Sequence, residues 1–155
     1  MKHENRIAGQ DAVLLAARTL LSLLFLIFGW EKITHYSGTL QYMVQVGAPL
    51  PALATIVAIG MELFVSIAII LGIATRPLSI LLAIYTLGTG LIAHHYWTMT
   101  GMARFENEIN FWKNISIIGG LMLLYATGPG AYSLGAWFGK QSAANKVGKA
   151  VGDPR

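Results

Sequence analysis

Two charged residues interrupt long apolar stretches and are the first candidates for chemistry. Arg18 lies within the apolar run 13–30, and Glu62 lies within the run 52–74. A charge at the centre of a membrane helix costs about 2.5–3.5 kcal/mol on an insertion scale, so each charge needs a partner. Helical rise and bilayer thickness place the two residues about 7 Å apart in depth, within reach of an arginine side chain. We therefore predict that Arg18 and Glu62 form an intramembrane charge pair.

Such a pair has two interpretations. A buried charge pair can fix which helices are neighbours, as a buried polar residue fixes register. It can also take part in a ligand or proton pathway. Helical spacing favours a shared polar interior, because Arg18, Ser22 and Lys32 fall on one face of the first helix. Glu62 and Ser66 do the same on the second helix.

A second group of polar residues gathers where the apolar runs end on one side. The candidate ligand-binding residues are Lys32, His94, Asn110, Lys113 and Asn114. In an antiparallel bundle they could line the mouth of a cavity in which an apolar ligand meets donors for its oxygen atoms. A reducible quinone is one such ligand. The alternative interpretation is anchoring, since charged, amide and aromatic side chains also accumulate at membrane interfaces.

The histidines do not predict a metal site. His94 and His95 are adjacent, so they differ by about 100° on a helix and cannot both face one ion. Histidines spaced four residues apart on a helix, or a matching carboxylate arrangement, are typical of a metal site and are missing from the sequence. The chain also has no cysteine, which excludes disulfides, thiol redox chemistry and thiolate-bound clusters. No metal is expected, and the sequence leaves open whether the protein is an enzyme.

The composition indicates a lipid environment for these residues. Of the 155 residues, 55% are hydrophobic and only 12% are charged, about half the usual ~25%. The mean hydropathy is +0.58. Intrinsic disorder is excluded by the same figures. The net charge of +4 does not indicate nucleic acid binding, because several basic residues lie in the C-terminal tail, where an anionic membrane leaflet explains them better.

The apolar runs predict an all-α fold, a transmembrane four-helix bundle. About 20 helical residues cross a ~30 Å hydrocarbon core, and backbone groups in lipid must pair internally. We expect a single domain over 1–138 and a flexible basic cytoplasmic tail over 139–155. The predicted helices are about 13–30, 52–74, 78–97 and 111–127.

The distribution of basic residues predicts the orientation. Lysine and arginine are more frequent in the N-terminus, the turn at Arg76 and the C-terminal tail than in the two longer loops. By the positive-inside rule both termini are therefore cytoplasmic.

Several motifs resemble the DoxX-like family of bacterial inner-membrane proteins over about 16–136. They are Arg18 with Gly29-Trp30-Glu31-Lys32, Glu62 followed by Leu71-Gly72-Ile73-Ala74-Thr75-Arg76, and Asn110-Phe111-Trp112-Lys113-Asn114 leading to Thr127-Gly128-Pro129-Gly130-Ala131-Tyr132-Ser133-Leu134. The resemblance implies a four-helix inner-membrane protein. Carried over position by position, it implies functional roles for Arg18, Lys32, Glu62, Lys113 and Asn114.

The activity implied by this resemblance is redox-linked. Some members of the family are described as membrane subunits of thiosulfate:quinone oxidoreductases, and others as membrane partners of soluble redox enzymes. We therefore expect a membrane subunit that supports a quinone-linked oxidoreductase, with quinone as the cofactor and other redox subunits as partners. The alternative is a non-catalytic anchor or assembly subunit of a larger membrane complex, and a transporter is a third hypothesis. The sequence does not indicate an oligomeric state.

Overall fold

The described part of the chain is built from helices. The computed structural model describes residues 8–139 and 141, and these form no strand. The helices are α1 (Ala8–Thr34), α2 (Tyr36–Gln45), α3 (Pro51–Ile59), a π-helical segment (Gly60–Val65), α4 (Ser66–Leu71), α5 (Thr75–Ala93), a 3-10 turn (Tyr96–Thr98) and α6 (Gly101–Thr127). The predicted all-α class is confirmed.

The predicted helices 13–30 and 111–127 lie within α1 and α6, and 52–74 corresponds to the series from α3 to α4. The predicted helix 78–97 ends earlier, because α5 ends at Ala93 and two non-helical residues separate it from the 3-10 turn. α1 and α6 extend beyond their runs, because polar turns outside the apolar stretch continue both helices. In α6 the added turns carry an i,i+4 ion pair between Arg104 and Glu108, whose Nε and Oε2 atoms lie 3.9 Å apart. The sequence did not predict α2, because its ten residues are of mixed polarity and too few to resemble a span.

The outer surface of the described helices is apolar. Many large hydrophobic side chains are exposed, including Leu20, Phe64 and Ile84, whereas Arg18, Glu62 and several hydroxyl residues are buried. Three helical stretches are long and apolar enough to cross a membrane, Gly9–Thr34, Pro51–Leu71 and Thr75–Thr98. The number of crossings and the cytoplasmic location of both termini stay predictions.

α4 and α5 are joined by a tight turn. Gly72 has a φ of 73°, a left-handed conformation that glycine adopts at little cost, and it ends α4. A Cβ at this position would lie 2.3 Å from that of Ser133, so glycine also permits a close approach. The turn therefore makes α4 and α5 antiparallel neighbours and brings the segment after α6 against them.

The segment after α6 closes one end of the bundle. The Ala131 amide donates to Asp11 Oδ1 on α1 at 2.8 Å, and the Gly135 amide donates to the Gly72 carbonyl at 3.3 Å. Residues 134–139 are helical. The predicted domain limits stay predictions, and 1–7, 140 and 142–155, which include most of the expected tail, lie outside the described residues.

Candidate functional site

Arg18 does not form the predicted pair with Glu62. Its side chain is only 2% exposed. The guanidinium Nε donates to the Ile70 carbonyl at 3.1 Å, and the two terminal nitrogens donate to the carbonyls of Pro129 and Tyr132. The arginine thus holds the end of α4 and the segment after α6 against α1.

Glu62 is instead held by two side chains from other helices. Lys32 Nζ of α1 lies 2.7 Å from Glu62 Oε2. The Tyr85 hydroxyl of α5 donates to Glu62 Oε1 at 2.6 Å. Each carboxylate oxygen therefore has a strong donor, and the triad of Lys32, Glu62 and Tyr85 connects three helices.

A close contact between backbones explains why Lys32 is the partner. A Cβ at Gly29 would lie 2.7 Å from the Leu63 nitrogen and 2.9 Å from the Glu62 carbonyl carbon, so only glycine fits at this contact. Lys32 lies three residues beyond Gly29, on the adjacent turn of α1. Arg18 lies eleven residues before Gly29, or about 16 Å along the axis. The predicted depths were wrong because they were counted from the ends of the apolar runs, which do not fix the register of the two helices.

Glu62 also lies in the π-helical segment, within the apolar helical stretch Pro51–Leu71. Such segments are rare, and they occur frequently at functional sites. The extra residue in the turn rotates the side chains that follow it relative to those before it. The π-helical segment and the buried carboxylate of Glu62 therefore coincide.

A cavity of about 620 Å³ adjoins this triad. All five residues predicted to bind a ligand line it, together with Glu62. The predicted residues are Lys32 from α1, His94 directly after α5, and Asn110, Lys113 and Asn114 from α6. The structure thus brings them to one place, and their role in binding stays a prediction.

Apolar side chains form most of the remaining cavity wall. They come from all the surrounding helices and include Phe25, Phe28, Met43, Val57, Ile92 and Ile117. The mixture of apolar walls and a few polar groups is typical of a small-molecule site. The cavity can therefore hold an apolar ring or chain while polar atoms meet the donors.

Two tyrosines of the cavity, Tyr85 and Tyr42, were not among the predicted residues. A signal for Tyr85 was present, because a tyrosine inside an apolar span has a hydroxyl that needs a partner. Tyr42 belongs to the unpredicted helix α2, and burial raises the pKa of its phenol above the ordinary value.

The polar groups near the cavity mouth make short contacts with each other. Lys113 Nζ donates to Asn110 Oδ1 at 2.7 Å. His94 Nδ1 lies 3.0 Å from Asn107 Oδ1. His95 contacts the Ile92 carbonyl through Nδ1 at 2.7 Å and does not line the cavity. Within the described residues, no group of three or more histidine, aspartate or glutamate side chains could hold a metal ion.

Comparisons with known proteins agree with the membrane character of the fold. The family model described as DoxX matches residues 13–95. Inner membrane protein YphA of Escherichia coli (strain K12) is 54% identical over 127 residues, which cover 82% of this chain and 91% of that protein. Inner membrane protein YqjF of the same strain is 39% identical over 125 residues, covering 81% of this chain and 91% of that protein.

A more distant relative comes from an animal. The Caenorhabditis elegans protein named Uncharacterized protein T02E1.7 is 33% identical over 81 residues, covering 52% of this chain and 28% of that protein. No solved structure matches the chain. The family match covers more than half of the sequence and agrees with the apolar helices of the fold. The chain belongs to the DoxX family and is an integral inner-membrane protein.

Proposed function

We propose that the protein is a membrane subunit that binds a quinone in its cavity and supports a quinone-linked oxidoreductase. The observation that carries this proposal is one cavity of about 620 Å³ that combines apolar walls from several helices with lysine, histidine and asparagine side chains. The volume falls within the range of about 300–1,000 Å³ typical of small-molecule sites.

The polar groups suit the oxygen atoms of a quinone ring. Lysine ammonium groups and asparagine amides donate hydrogen bonds. Lys32, Lys113 and Asn114 therefore supply donors for ring carbonyls. The apolar wall, which includes Phe28 and Ile117, suits the ring faces and the tail.

A bound quinone would accept electrons and protons, and the chain supplies groups for the protons only. Glu62, with Lys32 and Tyr85 on its two oxygens, is a buried carboxylate beside the cavity. The sequence contains no cysteine. In this proposal the electrons come from a partner enzyme, and the carboxylate triad holds charge and protons near the ligand.

A cavity-filling substitution tests the proposal. A Cβ at Gly88 would meet no neighbouring group within 4 Å, and Gly88 lines the cavity, so Gly88→Phe would fill it without a backbone clash. Gly119→Phe is the matched control, because Gly119 has the same free space and lies outside the cavity lining. Each variant is purified in lipid nanodiscs, co-purified quinone is measured by mass spectrometry, and decylubiquinone is titrated.

The proposal predicts quinone bound to the wild type and to Gly119→Phe, and at least tenfold weaker binding to Gly88→Phe. Equal binding by all three proteins would show that any quinone lies elsewhere. A wild type that binds no quinone but purifies in a fixed ratio with a larger enzyme would favour the alternative, a non-catalytic anchor or assembly subunit.

A further inference from the structure

The orientation of the Asn107 side chain is fixed by the backbone of its own helix. Asn107 Nδ2 donates to the Ala103 carbonyl at 2.9 Å. The other side-chain atom, Oδ1, can only accept hydrogen bonds. Because Oδ1 lies 3.0 Å from His94 Nδ1, that histidine nitrogen must be the donor.

This contact determines which nitrogen of His94 remains for a ligand. A neutral imidazole has one N–H group, so a proton on Nδ1 leaves a lone pair on Nε2. His94 follows the last residue of α5, donates its backbone amide to the Gly90 carbonyl, and lines the cavity. With Nδ1 turned to Asn107, Nε2 is the acceptor that His94 offers to a bound molecule.

The other polar groups of the cavity differ in whether they can accept a further hydrogen bond. Lys32 and Lys113 are donors only. Both oxygens of Glu62 already accept strong hydrogen bonds, from Lys32 and Tyr85. The hydroxyl groups of Thr86 and Thr89 donate to backbone carbonyls at 2.7 and 2.9 Å. The amide oxygens of Asn110 and Asn114 can also accept, and His94 Nε2 is the ring acceptor that stays available to a ligand hydroxyl.

We propose that His94, held by Asn107 with its proton on Nδ1, accepts a hydrogen bond from a hydroxyl group of the ligand, so that the cavity prefers a quinol to the corresponding quinone. The inference rests on the proposed quinone-binding function and specifies the form of the ligand. A quinol oxygen accepts from lysine and also donates to His94. A quinone oxygen only accepts, and beside His94 it would set two lone pairs against each other.

Binding of three related compounds tests the preference. Decylubiquinone, decylubiquinol and the dimethyl ether of decylubiquinol are titrated against the protein in nanodiscs, with oxygen excluded. One neutral hydrogen bond corresponds to roughly two- to tenfold in affinity, so we expect decylubiquinol to bind tighter than the other two by that factor. The ether retains the ring and the tail but has no hydroxyl donor.

Substitutions of His94 and Asn107 test whether the quinol preference depends on the histidine tautomer rather than on packing. His94→Leu and Asn107→Leu should reduce the quinol preference to about one. Asn107→Asp should keep the proton on Nδ1, because a carboxylate also accepts from that nitrogen. His95→Leu is the matched control and should retain the quinol preference, because His95 lies outside the cavity lining.

Nitrogen NMR provides a readout that needs no ligand. In protein labelled with ¹⁵N-histidine, His94 should show the proton on Nδ1 in the wild type and lose that preference in Asn107→Leu. A proton on Nε2 in the wild type would overturn the inference. Equal binding of quinol and quinone would overturn it while the quinone-binding function stands, and binding of none of the three compounds would overturn both.

Discussion

Two buried charged groups lie in different parts of the bundle, and their charges are stabilised in different ways. Arg18 donates to the backbone carbonyls of Ile70, Pro129 and Tyr132. Glu62 is held by the side chains of Lys32 and Tyr85 and faces a cavity of about 620 Å³. The Arg18 cluster binds its own chain and adjoins only a shallow, open groove of about 500 Å³. The Glu62 cluster lies beside a more enclosed cavity that a ligand can fill.

Under the proposed function, the difference separates a charge that stabilises the fold from one that serves the ligand. Carbonyl partners belong to the backbone and cannot change protonation, so the Arg18 cluster acts as a permanent closure. Lysine, glutamate and tyrosine can exchange protons and partners when a ligand enters. We therefore expect substitutions of Arg18 to change stability, and substitutions around Glu62 to change ligand binding as well as stability.

The largest loss of stability is expected for Arg18→Met. The change leaves three carbonyls without their donor in a buried place, and each unsatisfied group costs about 1–3 kcal/mol, so a loss of at least about 3 kcal/mol is expected. Unfolding of the purified protein in mild detergent measures it. Arg104→Met, at an exposed arginine, is the control and should change stability by less than about 0.5 kcal/mol. Similar losses of stability for both variants would show that Arg18 has no special structural role.

A double-mutant cycle tests which charges are partners. Lys32→Met and Glu62→Gln should show a coupling energy of about 1–3 kcal/mol, because each single change leaves a buried charge without its partner. Arg18→Met and Glu62→Gln should be additive within about 0.5 kcal/mol. Strong coupling in the second cycle would mean that the two ends of the bundle form one network.

Stability should be sensitive to a single methyl group at Gly29, where α1 contacts the backbone of Glu62 and Leu63. Gly29→Ala would place a Cβ against the backbone of Glu62 and Leu63, and we expect it to cost about 1–3 kcal/mol by overpacking. It should also weaken quinone binding, since it moves Lys32 and Glu62 apart. Gly60→Ala is the control, because a Cβ there meets no neighbouring group within 4 Å. If the protein tolerates both changes equally, the close approach of the helices does not position the site.

Tyr85→Phe should have the smallest effect on stability. It removes the donor to Glu62 Oε1 and keeps the ring, so a loss of about 1–2 kcal/mol is expected. We expect quinone affinity to change more than it does in Tyr125→Phe, since Tyr125 is exposed and does not line the cavity. Titration of decylubiquinone in nanodiscs compares the two variants, and identical affinities would place Tyr85 outside the ligand site.

Much of the fold could be predicted from the sequence, because apolar runs of membrane-spanning length specify helices with little ambiguity. The residues around the cavity could also be grouped, since the ends of antiparallel helices share a side of the bundle. The sequence could not predict which buried charged residues pair with each other. Apolar stretches set the length of a helix but not its register, and here the register depends on one glycine, Gly29, packed against Glu62.

The sequence also did not indicate the carbonyl partners of Arg18. Every residue carries a carbonyl, so nothing in the residue types of Ile70, Pro129 or Tyr132 marks them as acceptors. The helix α2 was missed for a different reason, since ten residues of mixed polarity have no clear period. Its contribution to the cavity, Tyr42 and Met43, was missed with it.

Photoaffinity labelling tests most directly which end of the bundle binds the ligand. A photoreactive azidoquinone is irradiated with the protein in lipid nanodiscs, and the labelled peptides are identified by mass spectrometry. We expect labels on cavity segments such as 42–49 and 110–117, and we expect excess decylubiquinone to suppress them. Labels concentrated on 129–137 beside Arg18, or spread over the lipid-facing surface without competition, would contradict this expectation.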